Sequence, residues 1–119
     1  VFFNDGKGTF TRSTPFGGAQ APSYTVAVAD LDLDGDTDIV IGNAGQRNVI
    51  YFNEAKGARF RRAPFGQAAV TYCVELGDLN GDKYPDIITG NSGAQNFIYL
   101  NQGKKAGQLL QSKPLTTNH

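Results

Sequence analysis

The chain has one cysteine, Cys73, and one histidine, His119, among its 119 residues. A single thiol closes no internal disulfide and builds no zinc cluster. A lone histidine at the last position gives no base to a Ser-His-Asp or Cys-His constellation, and a disordered tail is expected there. Net formal charge is zero, which excludes bulk electrostatics as the means of holding nucleic acid or an anionic membrane. No apolar run nears the roughly 20 residues that span a bilayer. No stretch repeats its apolar residues every 3.6 positions over a helical length, so no substantial helix is expected. The opening VFFNDGKG lacks the basic start, apolar core and small-residue cleavage site of a signal peptide. That excludes little, because the repeat pattern starts in mid-unit.

What the chain does have is a period. Tyr24 to Asn43, YTVAVADLDLDGDTDIVIGN, aligns without a gap on Tyr72 to Asn91, YCVELGDLNGDKYPDIITGN, 48 residues later. The match continues through NVIYFN (Asn48 to Asn53) and NFIYLN (Asn96 to Asn101), and VFFN at Val1 to Asn4 repeats the same segment. PFG recurs at Pro15 to Gly17 and Pro64 to Gly66. A repeat of this length changes the fold that has to be considered.

Within one unit, Val, Ile, Phe, Tyr and Thr form short runs separated by Gly, Asn, Asp and Pro, the pattern of strands and turns. The central unit places strand one at Tyr24 to Ala29, two at Asp38 to Asn43, three at Asn48 to Asn53 and four at Arg59 to Ala63. Strand one alternates small residues with valine and suits a place buried on both faces. The continuous run Ile39, Val40, Ile41 suggests the same for strand two. Arg59, Arg61 and Arg62 put strand four at an exposed edge, where charge discourages edge-to-edge pairing. Four antiparallel strands per repeat, inner ones small and apolar, are what a β-propeller blade needs. A β-sandwich would not require so close an internal identity, and solenoid coils are usually shorter.

The expectation is an all-β segment of about two and a half blades. Residues 1–23 supply the last two strands of one blade plus a linker, 24–71 a full blade, and 72–119 a full blade plus a tail. Since rings have about four to eight blades, the segment belongs to a longer ring, or several copies complete one as a homo-oligomer.

Charge is concentrated in two loops. Eight of the eleven acidic residues lie in the windows DLDLDGDTD (Asp30 to Asp38) and DLNGDKYPD (Asp78 to Asp86). Oxygen-bearing side chains at odd positions of a tight loop converge on one point, and calcium takes six to eight hard oxygens. The expected side-chain ligands are Asp30, Asp32, Asp34 and Asp38 in loop one, and Asp78, Asn80, Asp82 and Asp86 in loop two. Position seven, Asp36 or Tyr84, gives its main-chain carbonyl. Ordinary Asp and Asn turns bond their own backbone, but five aspartates in nine residues repel one another without a cation. Magnesium demands a tighter octahedron, and zinc and copper find no Cys or His here. An EF-hand is excluded, because its closing Glu at position twelve is replaced by Ile41 or Thr89 inside a strand. A bound cation would hold these carboxylates ionised, which makes them poor acid/base catalysts.

Strand, DxDxDGDxD loop, DIVIGN strand and PFG turn together resemble the FG-GAP or VCBS repeat of integrin α-subunit propellers and many secreted microbial proteins. The resemblance implies a seven- or eight-bladed parent, calcium in the loop between strands one and two, and an extracellular setting. By position, Asp30, Asp32, Asp34, Asp36 and Asp38 match the family's metal loop, as do Asp78, Asn80, Asp82, Tyr84 and Asp86. Loop two departs by carrying its glycine at Gly81 and Lys83 where loop one has Gly35. One carboxylate fewer and a nearby ammonium make loop one the expected tighter site.

The reading is a non-enzymatic, calcium-stabilised segment of an extracellular binding or adhesion protein. The alternatives are a scaffold or accessory module of a secreted carbohydrate-active enzyme, or a propeller lectin. Cys73 is expected to be a small buried thiol. The turns GNAGQRN and GNSGAQN, with Tyr51 and Tyr99 nearby, are candidates for contact with a sugar or peptide between blades.

Overall fold

The computed structural model describes residues 1–16, 22–103 and 110–114, and every element among them is a strand. These are β1 (Phe2–Phe3), β2 (Arg12–Ser13), β3 (Ser23–Ala29), β4 (Asp38–Asn53), β5 (Phe60–Gly77), β6 (Asp86–Ser92), β7 (Phe97–Asn101) and β8 (Leu110–Pro114). All pairs are antiparallel, β1 with β2 and then β3 through β8 in sequence order. His119 lies outside the described residues.

The long β4 and β5 are each two blade strands in succession. Extended, 16 residues would span about 50 Å. The two ends of β4 nevertheless meet, with the Asn53 N–H donating to Asp38 Oδ1 at 2.8 Å. At the fold, the Asn43 N–H donates to Asn48 Oδ1 and the Asn43 side-chain amide to the Arg47 carbonyl, both at 2.8 Å. Thus β4 supplies strands two and three of the first full blade. β5 begins as its strand four, with Phe60 to Phe65 paired to Asn53 to Asn48. It then crosses to the second blade, where Thr71 to Gly77 pair with β6. The second blade repeats the design through β6, β7 and β8, down to the Asn91 N–H donating to Asn96 Oδ1 at 2.7 Å. β1 and β2 form half of a preceding blade.

Blades pack through two hydrophobic clusters. Val1 and Phe16 pack on Ile39, Val49 and Tyr51 on one side of the first full blade. On the other side, Leu31, Val40, Ile50 and Phe52 meet Phe65, Val74, Ile87 and Tyr99. The PFG motif has a physical meaning here, because its phenylalanine is a wedge into the next blade. Phe16 meets Tyr51 edge-on at 5.0 Å, and Phe65 meets Tyr99 in the same way at 5.0 Å. Gly66 follows the wedge at φ 70°, and a Cβ there would collide with the Tyr99 hydroxyl.

Strand four is exposed at Arg59, Arg61 and Arg62 as expected. Strand one differs from its expected burial on both faces. Ala27 packs on the interblade cluster, but Val26 and Val28 are each 60% exposed. Alternate residues of a strand face opposite ways, and β1 and β2 cover only the outer part of the face that carries these valines. Cys73 is also exposed rather than buried, because it lies on the uncovered face of the second blade.

Candidate metal centre

Loop one leaves β3 at Ala29 and enters β4 at Asp38. Asp30 folds the loop by accepting backbone N–H groups from Asp34 at 3.1 Å and Gly35 at 2.8 Å. Asp34 Oδ1 accepts the Asp36 N–H at 2.9 Å. Asp38 closes it, fully buried, with Oδ2 accepting from Leu31 and Oδ1 from Asn53, each at 2.8 Å. Only the Asp34 bond is an Asx turn; the others reach four to fifteen positions along the chain, and since an ionised carboxylate accepts about four bonds, Asp30 and Asp38 keep capacity for a cation.

The turns gather three ligands. One carboxylate oxygen from each of Asp30, Asp32 and Asp38 lies within 4.8 Å of the other two. Oxygens on opposite sides of one calcium are about 5 Å apart, given bonds of 2.3–2.6 Å. The set therefore fits a single hard cation, and Asp32 Oδ1 is shut off from solvent. Burial pushes the Asp38 carboxyl above its ordinary range, against the backbone N–H bonds it accepts from Asn53 and Leu31. The charges of Asp34 and Asp30 push the same way as burial. A cation would reverse that repulsion. Asp34 and Asp36 are outside the convergent trio.

Loop two repeats the frame, with Asn80 at the position of Asp32. Asp78 accepts N–H groups from Gly81, Asp82 and Lys83 at 2.9, 3.2 and 2.8 Å, and Asp82 accepts from Tyr84 at 3.0 Å. Asp86, fully buried, accepts from Leu79 at 2.7 Å and Asn101 at 2.9 Å. The three aspartates Asp78, Asp82 and Asp86 do not converge by themselves, the counterpart of the loop-one trio being Asp78, Asn80 and Asp86, and Asp78, Asn80 and Asp82 are exposed. The Asp78 carboxyl is held below its ordinary value, first by the Lys83 N–H.

Tyr51 and Tyr99 are 8% and 6% exposed, held by the Phe16 and Phe65 wedges, so neither is an open platform. Tyr99 does border a cleft of about 210 Å³ between the blades, lined also by Asn48, Gln67, Thr71, Asn91 and Phe97. Sequence reasoning missed the polar chain behind it, in which the Asn48 amide donates to Thr71 Oγ1 at 2.9 Å and Thr71 donates to Asn91 Oδ1 at 2.7 Å. The 48-residue offset between Asn43 and Asn91 was its only signal.

Fold and loops together define a β-propeller segment built from acidic-loop repeats. Family models for the FG-GAP-like repeat match residues 1–41 and 30–89, and the FG-GAP repeat model matches 74–108. The chain belongs to the FG-GAP repeat family. Comparison with curated proteins and with solved structures returns no match. Repeats of this family are structural or binding modules, commonly bind calcium, and occur mainly in extracellular or surface proteins.

Proposed function

We infer that this segment is a non-catalytic binding module of an extracellular protein, its blades stabilised by calcium in loop one and more weakly in loop two. The observation that carries the reading is the convergence of Asp30, Asp32 and Asp38 on one point with Asp38 fully buried. In this reading calcium supplies charge compensation and a fixed loop geometry. Asp30, Asp32 and Asp34 hold it from the loop, Asp38 from the start of β4, and the Asp36 carbonyl adds a main-chain oxygen. Loop two would use Asp78, Asn80, Asp82, Asp86 and the Tyr84 carbonyl. Further blades cover the exposed Val26 and Val28 on one side and the half-exposed Leu79 on the other, whether from the same chain or from other copies.

Metal bound only by the native state stabilises it by mass action, about 2.7 kcal/mol per site at a hundredfold excess over Kd. Calcium should therefore raise the melting temperature by several degrees over that in excess chelator. Equal melting temperatures in the two conditions would refute the reading.

The interblade cleft supports a lectin-like second reading. Its lining carries amides, the hydroxyl-bearing Thr71 and Tyr99 and aromatic carbon but no charged side chain, a chemistry suited to a neutral sugar or peptide. Binding on a glycan array, abolished by filling the cleft with Ala68→Trp, is the expected result.

A further inference from the structure

Leu31 stands between the ligands Asp30 and Asp32, and all three of its parts are held. Its side chain is 1% exposed in the core between the full blades. Its N–H donates to Asp38 Oδ2 at 2.8 Å. Its carbonyl accepts the side-chain amide of Asn101, 70 positions along the chain on β7 of the second blade, at 2.7 Å and buried. A peptide unit is planar, so the first bond fixes the plane joining Asp30 to Leu31 and the second the plane joining Leu31 to Asp32. One of the two planes that aim the trio is thus set by another blade.

Asn101 is rigidly held for that task. Its N–H donates to Asp86 Oδ1 at 2.9 Å, its side-chain amide also donates to the Pro85 carbonyl at 3.0 Å, and its Oδ1 accepts from Gly103 at 2.9 Å. A continuous path therefore runs from Asp38 through Leu31 and Asn101 to Asp86, joining the closing aspartates of both loops. The periodic counterpart of Leu31 is Leu79, which is bonded to Asp86 in the same way but is 49% exposed.

We propose that loop one is an interblade clamp, in which cation binding at Asp30, Asp32 and Asp38 is coupled to docking of the second blade, with Asn101 as the positioning residue. The clamp rests on the calcium reading of loop one. Within the described residues loop one is aimed from two blades, and the matching contact at Leu79 falls to the further blade that covers it.

The test is a calcium titration followed by amide NMR at Leu31 and Gly35 for loop one, and at Leu79 and Lys83 for loop two, in wild type and Asn101→Ala. Coupling between sites typically changes affinity 5- to 150-fold, so Asn101→Ala should weaken loop one at least about fivefold. A purely local role for Asn101 would alter loop two through Pro85 and leave loop one unchanged, which overturns the clamp. Wild type that shows no calcium response at loop one overturns the calcium reading and the clamp together.

If Asn101→Ala does not fold, Asp78→Asn serves, with loop two weakened. Calcium at loop one should still slow hydrogen exchange at Ile87 and Asn101 in the second blade. Slowing confined to the first blade overturns the clamp.

Discussion

Leu33 and Lys83 both hold left-handed backbone, at φ 56° and 76°, and each occupies the position where the other loop has glycine: Gly35 stands at 93° and Gly81 at 81°. Every loop needs two left-handed residues and has one glycine for them, so the displaced glycine changes which site is strained and not the turn. A side chain in this region costs about 1–2 kcal/mol, partly offset by the greater chain entropy that glycine loses on folding. Leu33→Gly and Lys83→Gly should each raise stability by about 0.5–1 kcal/mol in urea unfolding, and Gly35→Ala should lower it. Lys83→Gly should also tighten calcium at loop two by removing the ammonium.

The aspartates titrate in opposite senses. Asp38 is raised in the folded chain, so without metal its contribution to stability falls as pH rises from 3.8 through its folded value. Asp78 is lowered, so its contribution is present above 3.8 and lost as pH falls through its folded value. Calcium requires the ionised form. Loop-one affinity should therefore decline at a higher pH than loop-two affinity, as titrations between pH 7 and 4 would show.

At the scale of elements, the blade interface explains glycines that periodicity treats as equals. A Cβ at Gly42 would meet Thr25 Cγ2 at 2.5 Å and Thr71 Cγ2 at 3.0 Å, whereas at Gly90 the nearest atom is Cys73 Cβ at 3.5 Å. Gly42 is crowded both by Thr25 of its own blade and by the inner strand of the next, whereas Gly90 faces an uncovered side. Gly42→Ala should cost about 1–3 kcal/mol by overpacking, while Gly90→Ala stays within about 0.5 kcal/mol, both measured by denaturant midpoint. The wedges make a parallel case. Phe65→Ala removes a buried ring from between blades and should cost about 3–5 kcal/mol.

For the whole molecule, the strands, their order and the acidic loops were legible because each is written in local pattern: β-branched runs, Asx turns and a 48-residue offset. The exposure of Val26, Val28 and Cys73 was not legible, since strand periodicity states that a side chain faces sideways and is silent on what stands opposite.

The sequence by itself determined the repeat, the antiparallel blades and the two oxygen-rich loops, since turns and strand faces depend on neighbours within a few residues. Only the tertiary structure decided that the carboxylates of Asp30, Asp32 and Asp38 converge, and that Leu31 between them is held by Asn101 of the other blade at 2.7 Å. A contact across 70 positions leaves no local pattern, because its geometry exists only once the blades have packed.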